Sequence, residues 1–421
     1  MDRRISPRRL SGTVQPPPSK SVCHRALIAA ALGSGVSRVF PVEPSADILA
    51  TIRVLRAFGA GVLLEDGAAV VQGLAGRALP RAEADCGESG STLRFCLPIA
   101  AALGTEASFF GSGKLPERPL TPYWEALPSK GISLDSKHLP LTVRGKLTPG
   151  RYCLPGNISS QFITGLLYAL PLLDGPSEIV LTTELESAPY VDITLEVLAA
   201  YGIEVVKTPS GFSVPGPQRY KASDYRVEAD YSAAAFFLTA GALSGEVTCL
   251  GLSENSMQGD RAIIPLLQKL GADIRREGGA VTVRASSLHG AEIDGGDIPD
   301  IVPILCVAAA AAQGETVIRH IKRLKIKECD RAAAMIDGLT RLGADIREEG
   351  DSLRIRGGVP LHGAVTEGWN DHRIAMCMAV AGLLCSGDTV IRGTECVKKS
   401  YPAFFEDYCM LGGKADVISL G

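Results

Sequence analysis

A pattern that recurs six times constrains the fold of this chain more than any other feature. A helical stretch ends at a glycine and is followed by a short strand, a turn and a second strand, most clearly in residues 267–274 and 339–346. The marker glycines follow one another at intervals of 69 to 72 residues, at Gly59, Gly131, Gly202, Gly271, Gly343 and Gly412. Glycine closes a helix in a left-handed conformation that other residues resist. Self-similarity at a fixed period predicts six equivalent units.

Each repeat also contains a helix that is apolar on nearly every side. These six segments are residues 19–32, 91–103, 159–170, 232–243, 300–312 and 371–384. Such helices are expected to be buried, and each begins with a polar capping residue. In a chain of 421 residues this favours two α/β domains of three units each. Every unit should be a small sheet with one buried helix and one outer helix.

Charge and cysteine content narrow the functional class. A net charge of −3 gives no general basic surface for nucleic acid. The 11 cysteines form no CxxC pair, and no apolar stretch follows Met1, so we expect free thiols in a cytoplasmic protein. The longest apolar runs, such as residues 301–312, are shorter than the roughly 20 residues that cross a bilayer. Neither a membrane nor a nucleic acid is expected as a partner.

The polar starts of the buried helices are the candidate site. A helix start offers unpaired N–H groups and about half a positive charge, which attract anions. If the three buried helices of a domain run parallel, their starts converge on one face. Two such faces opposed across a cleft would form a strongly anion-binding site.

Side chains at the first three helix starts fit this hypothesis. Lys20 and Ser21 precede Arg25, which shares a helical face with Ser21. At the second start, Gly90 would let a ligand approach the backbone closely. At the third, residues 159–161 (Ser-Ser-Gln) place three hydrogen-bonding side chains in one turn. Ordinary capped helices with solvated basic residues remain the alternative interpretation.

Further charged residues lie at the last helix start and between the helices. Residues 370–373 (Asn-Asp-His-Arg) combine a carboxylate, an imidazole and a guanidinium. Residues 325–331 alternate charges in a way that is unlike a buried strand, although a solvated helix start would also explain them. Arg118 is held between Glu117 and a proline, and Lys399 precedes a Tyr-Pro pair that could be a simple surface turn.

Taken together these segments resemble the enolpyruvyl transferase family, in the branch that uses shikimate 3-phosphate. The resemblance runs in order along nearly the whole chain, through residues 17–25, 87–94, 117–119, 159–162, 187–194, 300, 327–331, 370–373 and 399–402. It implies two inside-out α/β domains, each of three βαβαββ units with buried parallel helices. One domain would comprise residues 19–227 and the other residues 1–18 and 228–421, with a hinge at the two crossings that lets substrate close the cleft.

The resemblance also implies which residues bind each substrate. Those for phosphoenolpyruvate would be Lys20, Gly90, Arg118, Gln161, Arg331, Arg373 and Lys399. Those for shikimate 3-phosphate would be Ser21, Arg25, Ser159, Ser160, Gln161, Ser187, Asp300 and Lys327. Holding four anionic groups requires many cations, and arginine offers bidentate contacts.

The implied reaction is an addition followed by an elimination, which needs a base and an acid. Asp300 is the candidate base for the attacking hydroxyl. Glu328 is the candidate for proton transfer at the methylene carbon, with Lys20 assisting. The six histidines show no metal-ligand spacing, so neither a metal nor another cofactor is expected, and we expect a monomer.

The sequence departs from the family pattern at two positions, and two alternative functions are open. Glu88 stands where the family often has Asn, and Arg323 where a neutral side chain often contacts substrate, so neither is assigned, and His372 has no assigned role. The sister enzyme that acts on UDP-N-acetylglucosamine usually has a Lys-Asn pair and a loop cysteine, whereas this chain has Lys20-Ser21 and no cysteine before Arg118. A silent anion-binding repeat protein would not need Asp300, Glu328 and Lys20 together.

Overall fold

The computed structural model describes residues 1–418, in which α-helices alternate with short strands. The helices are α1 (Lys20–Leu32), α2 (Ala46–Ala57), α3 (Gly90–Leu103), α4 (Thr121–Ala126), α5 (Ser160–Ala169), α6 (Ala188–Ala200), α7 (Tyr231–Ser244), α8 (Ile263–Lys269), α9 (Val302–Ala311), α10 (Arg331–Arg341), α11 (His372–Ala381) and α12 (Phe404–Met410). The strands are β1 (Asp2–Ser6), β2 (Ser11–Val14), β3 (Val36–Phe40), β4 (Gly61–Glu65), β5 (Ala68–Gln72), β6 (Arg81–Asp85), β7 (Glu106–Phe110), β8 (Ile132–Leu134), β9 (Leu141–Gly145), β10 (Arg151–Leu154), β11 (Ser177–Leu181), β12 (Val206–Thr208), β13 (Gly211–Val214), β14 (Tyr225–Arg226), β15 (Glu246–Cys249), β16 (Asp273–Glu277), β17 (Ala280–Arg284), β18 (Glu292–Asp294), β19 (Gly314–Arg319), β20 (Asp345–Glu349), β21 (Ser352–Gly357), β22 (Leu361–His362), β23 (Val365–Glu367), β24 (Cys385–Ser386), β25 (Thr389–Arg392) and β26 (Lys414–Ile418).

The strands form six four-stranded sheets and one two-stranded pair, β22 with β24, within residues 1–418. The sheet orders are β14-β3-β5-β4, β6-β7-β9-β8, β10-β11-β13-β12, β2-β15-β17-β16, β18-β19-β21-β20 and β23-β25-β1-β26. In each sheet the first two strands are parallel, and the remaining pairs are antiparallel. A parallel pair requires a crossover connection, and the buried helix of the repeat supplies it in four of the sheets. The predicted βαβαββ repeat is confirmed.

Two repeats exchange their first strands. Strand β2 precedes α1 in the sequence but pairs with β15, whereas β14 precedes α7 but pairs with β3. The last sheet is completed by β1, which pairs with both β25 and β26. The N-terminal segment therefore belongs to sheets whose other strands come from late in the chain.

The chain divides into two compact units. Lys20–Val227 form one, which we call the continuous unit. Residues 1–19 and those from Glu228 onward form the other, the discontinuous unit. Each unit has its own cluster of buried apolar side chains, made from three sheets and the helices on them.

The six apolar helices are α1, α3, α5, α7, α9 and α11, and they are buried as predicted. Their observed ends differ from the predicted ones by up to three residues. The α9 helix begins at Val302 because Pro303 suits a first turn, where no backbone N–H is needed. The α11 helix ends at Ala381 and continues as a tighter turn over Gly382–Leu384.

The marker glycines have the backbone conformation that the repeat requires. Their φ angles run from 77° at Gly202 to 106° at Gly59. In the second repeat the glycine follows a short turn, Pro128–Lys130, rather than α4 itself. The predicted left-handed closure is therefore present in all six repeats.

Close packing brings the starts of α3 and α5 together. A side chain at Gly165 in α5 would overlap the backbone oxygen of Arg94 in α3 and the hydroxyl of Tyr123. The Tyr123 hydroxyl lies within hydrogen-bonding distance of the backbone oxygens of Arg94 and Phe162, at 2.7 and 2.9 Å. Absence of a side chain at Gly165 lets the two helices approach closely.

Candidate active site

The start of α3 presents bare backbone to a buried arginine. The Ser89 hydroxyl caps this helix by accepting a hydrogen bond from the Thr92 N–H at 3.2 Å. At Gly90, the next residue, a Cβ atom would lie 2.6 Å from Nη1 of Arg118. The guanidinium of Arg118 thus lies directly against the helix start, a combination that favours an anion.

Gln161 connects the starts of α5 and α3. Its Oε1 accepts a hydrogen bond from Arg94 at 2.6 Å, and its Nε2 donates to the Ser91 hydroxyl at 3.0 Å. The Gln161 N–H is capped by Ser159 at 3.3 Å. These bonds fix the amide of Gln161 beside Gly90 and Arg118, and a Cβ on Gly90 would lie 3.6 Å from Oε1.

The start of α1 carries two cations with different partners. Lys20 Nζ lies 2.7 Å from Oδ2 of Asp47 in the first turn of α2. Arg25 donates to the Thr194 hydroxyl at 2.8 Å and to the backbone oxygens of Ser21 and Tyr190 at 2.8 and 2.9 Å. Burial lowers the pKa of Arg25 to about 10, so the side chain remains charged at neutral pH.

Three further predicted serines, Ser159, Ser160 and Ser187, belong to the same unit. Ser159 caps α5 and Ser160 is its first residue, 3% exposed. Ser187 precedes α6 and is fully buried, with a φ of 56°. A residue other than glycine in this left-handed region is strained, and such strain is found most often at functional positions.

In the discontinuous unit, Arg331 binds three carboxylates. Its Nε donates to Asp371 at 2.8 Å, its Nη1 to Asp300 at 2.8 Å and its Nη2 to Glu328 at 2.7 Å. The side chain is 1% exposed, and these negative charges hold the pKa of Arg331 well above its ordinary value despite its burial. Asp371 is fully buried and also caps α11 by accepting from the Arg373 N–H at 2.9 Å.

Asp300 is surrounded by cations. Its Oδ1 accepts from Arg331 and lies 3.5 Å from Lys327 Nζ, and its Oδ2 accepts from Arg373 at 2.9 Å. Burial alone would raise the pKa of Asp300, but Arg373, Lys327 and Arg331 together hold it well below its ordinary value. Asp300 is therefore ionised, with 18% of its side chain exposed.

Among the predicted site residues of this unit, the remaining cations are Lys327 and Lys399. Burial lowers the pKa of Lys327 to about 8, against the opposing effect of Asp300. Lys399 donates to the backbone oxygen of Asn370 at 2.6 Å and is 8% exposed. This bond holds the Lys399 ammonium beside the start of α11.

A further carboxyl group is buried at the start of α7. Asp260 accepts a short hydrogen bond from the Ser232 hydroxyl and is 2% exposed. Burial, reinforced by the negative charge of Asp300, raises the pKa of Asp260 to about 7. Nothing in the sequence pattern distinguished this aspartate from a solvated surface residue.

The predicted site residues thus form two clusters, one in each unit. The continuous unit holds Lys20, Ser21, Arg25, Gly90, Arg118, Ser159, Ser160, Gln161 and Ser187. The discontinuous unit holds Asp300, Lys327, Glu328, Arg331, Arg373 and Lys399. Their roles toward substrate stay predictions.

Three residues that orient the predicted ones were not assigned from the sequence. Arg94 and Asp371 lie inside the motifs, but their types alone do not reveal their partners. Asp47, the partner of Lys20, is an acidic residue in the first turn of an outer helix, where helix capping alone would explain it. Arg323, where the family often has a neutral side chain, is 7% exposed, and its charge helps to lower the pKa of Lys327.

Within residues 1–418 no three His, Cys, Asp or Glu side chains are grouped so that they could hold a metal ion. No helix in this part of the chain is long and apolar enough to span a bilayer.

Comparisons with known proteins by family model, by sequence and by structure find relatives of the same kind. A family model described as EPSP synthase (3-phosphoshikimate 1-carboxyvinyltransferase) matches residues 5–408. The 3-phosphoshikimate 1-carboxyvinyltransferases of Clostridium kluyveri and Clostridium novyi are 46% and 44% identical, each match covering 99% of both chains. Among solved structures, an EPSP synthase from Acinetobacter baumannii is similar with a TM-score of 0.84 at 26% identity, covering 99% of this chain and 100% of that one. The enolpyruvyl transferase NikO of Streptomyces tendae, at 18% identity over 99% of this chain and 98% of its own, shares the fold with a TM-score of 0.79.

Proposed function

Because this chain belongs to the EPSP synthase family, we infer that it transfers the 1-carboxyvinyl group of phosphoenolpyruvate to the 5-hydroxyl of shikimate 3-phosphate. Phosphate is released, and the reaction is a step of aromatic amino acid biosynthesis. The names of the relatives favour this acceptor over UDP-N-acetylglucosamine. The observation that carries the chemistry is the ionised Asp300, which shares Arg331 with Glu328.

We propose that the two clusters divide the work of binding four anionic groups. The groups proposed for phosphoenolpyruvate are the side chains of Lys20, Arg118, Arg373 and Lys399, the amide of Gln161 and the N–H groups beside Gly90. The side chains proposed for shikimate 3-phosphate are Ser21, Arg25, Ser159, Ser160, Gln161, Ser187, Asp300 and Lys327. Arg331, already bonded to three carboxylates, contributes to donor binding mainly by holding Asp300 and Glu328 in place.

The proposed reaction has two steps. The 5-hydroxyl oxygen bonds to C2 of phosphoenolpyruvate as its proton passes to Asp300. At the same time C3 gains a proton from Glu328, assisted by Lys20. Phosphate then leaves C2 of the tetrahedral adduct and takes up the proton held by Asp300. Glu328 takes back a proton from C3, and the double bond is restored. The cations stabilise the charge on the departing phosphate.

The substitution Gly90→Ala tests the proposed donor site. The added methyl group would lie 2.6 Å from Nη1 of Arg118, so the guanidinium must move. A displaced guanidinium weakens a charge-assisted contact worth about 1.5–3 kcal/mol, so the KM for phosphoenolpyruvate should rise about tenfold to a hundredfold, with a smaller change in kcat. Steady-state kinetics measure this. Gly175→Ala, where the nearest atom is the Pro149 ring at 3.3 Å, is the control; equal kinetics of both variants would refute the assignment.

The pKa of Lys327 predicts a pH dependence of acceptor binding. Since the ammonium loses its proton as pH rises through about 8, affinity for shikimate 3-phosphate should fall between about pH 7 and pH 9, by up to about tenfold per pH unit. Titration calorimetry gives Kd at each pH. Lys327→Gln should bind more weakly but without this additional fall. Parallel curves for the two proteins would contradict the role of Lys327.

We further propose that the protein works as a cytoplasmic monomer on small molecules, without nucleic acid. All 11 cysteines are free and only Cys153 and Cys409 are exposed, which suits a reducing compartment. Every side chain proposed for the reaction belongs to this one chain. The direct test of the function is whether phosphate release from phosphoenolpyruvate depends on shikimate 3-phosphate.

A further inference from the structure

A chain of buried hydrogen bonds connects α1, α2 and α3 in the continuous unit. His24 Nδ1 lies 2.7 Å from Thr51 Oγ1, which lies 2.7 Å from Thr92 Oγ1. Thr92 Oγ1 in turn lies 2.8 Å from Ser89 Oγ. All four residues are at most 1% exposed, so burying them is favourable only while their polar groups bond to one another. We call these four residues the α1–α3 chain.

The geometry fixes the direction of the α1–α3 chain. The single hydroxyl hydrogen of Thr92 is donated to Ser89. Thr51 must then donate to Thr92, and it must accept from Nδ1 of His24. His24 is therefore the tautomer protonated on Nδ1, and its Nε2, which meets no hydrogen-bond partner among the described residues, carries only a lone pair. Burial, together with the charges of Lys20 and Arg25, holds the pKa of His24 well below its ordinary value, so the ring is neutral.

One end of this chain lies beside the Lys20 site. His24 follows Lys20 by one helical turn on α1, and Thr51 follows Asp47 by one turn on α2. The Lys20–Asp47 ion pair and the His24–Thr51 hydrogen bond are thus successive links between the same two helices.

The other end lies in the first turn of α3. Ser89 accepts hydrogen bonds from both the N–H and the hydroxyl of Thr92. Gly90, between them, lies against Arg118. Any shift of this turn would therefore move Gly90 relative to the guanidinium of Arg118.

We propose that the α1–α3 chain positions Lys20 relative to Gly90 and Arg118, and so sets the spacing of the groups that bind phosphoenolpyruvate. This inference rests on the proposed function. His24, Thr51, Thr92 and Ser89 are positioning residues, since each is buried and acts through its bonds to the others. Misplacement of binding groups by about 1 Å is enough to cost about a hundredfold in rate.

Thr51→Val tests the proposal because valine keeps the shape of threonine and removes the hydroxyl. We expect kcat/KM for phosphoenolpyruvate to fall about tenfold or more, mainly through KM.

Thr51→Ser, which keeps the hydroxyl, should stay within about threefold of the unmodified protein. Thr239→Val is the matched control: this hydroxyl is also fully buried but has no hydrogen-bond partner within residues 1–418, so its removal should leave the kinetics unchanged. The double variant Thr51→Val, Thr92→Val should lose no more than the worse single variant.

A second measurement needs no activity. Long-range proton–nitrogen NMR of the unmodified protein should show one histidine protonated on Nδ1 that does not titrate near neutral pH and is lost in His24→Gln. The proposal is overturned by an Nε2-protonated His24, by wild-type kinetics in Thr51→Val, or by equal losses in Thr51→Ser and Thr51→Val. If the unmodified protein releases no phosphate, the proposed function fails, while the NMR result still decides whether the chain exists.

Discussion

Replacing Glu328 with glutamine is expected to lower kcat by about 10²–10⁴-fold while changing either KM by less than about threefold. Glutamine is nearly isosteric, and its amide oxygen can still accept the hydrogen bond from Arg331 at the position of Oε2. It cannot transfer a proton to or from the methylene carbon. The loss should therefore fall on turnover rather than on binding, and steady-state kinetics with each substrate varied separate the two.

The matched control is Glu246→Gln in the same unit. Glu246 forms an ion pair with Arg284 at 2.6 Å, with about half of its side chain exposed. Removing this charge should leave kcat unchanged because the pair is remote from the proposed chemistry and exposed pairs contribute little. A rise in KM without a loss of kcat in Glu328→Gln would refute the proton-transfer role.

Replacing Arg331 with leucine should destabilise the discontinuous unit by about 3–5 kcal/mol. The substitution leaves three carboxylates, Asp300, Glu328 and Asp371, without the guanidinium that binds them. Asp371 is fully buried, so its charge would be especially unfavourable. Urea unfolding followed by circular dichroism measures the change in midpoint and slope.

A surface arginine provides the comparison for this prediction. Arg341 pairs with Asp337 at 2.8 Å on α10, with half of its side chain exposed. Arg341→Leu should change stability by less than about 1 kcal/mol. If Arg331→Leu were no more destabilising than Arg341→Leu, the three-carboxylate network would have no structural role.

The repeat and the buried helices were predictable because their signals are local. Left-handed glycines such as Gly271 and the apolar run that becomes α9 each reveal their structure within a few residues. The exchange of β2 and β14 has no such local signal. Both strands precede equivalent helices, so neither sequence indicates which of two equivalent sheets it will join.

The residues of the site likewise differ in whether a local sequence signal reveals them. Residue type and position at a helix start singled out Lys20, Gly90 and Arg373 as anion-binding candidates. Two of the three partners of Arg331, Asp300 and Asp371, and the raised pKa of Asp260 depend on contacts between segments far apart in the sequence. Such contacts follow from packing, and a local pattern alone does not predict them.

The most direct test of the account is phosphate release from phosphoenolpyruvate by the purified chain, measured separately with shikimate 3-phosphate, with UDP-N-acetylglucosamine and with no acceptor. We predict release only with shikimate 3-phosphate, in an amount equal to the carboxyvinyl product formed. Release with the nucleotide sugar, or no release with either acceptor, would contradict the proposed function while leaving the fold unaffected.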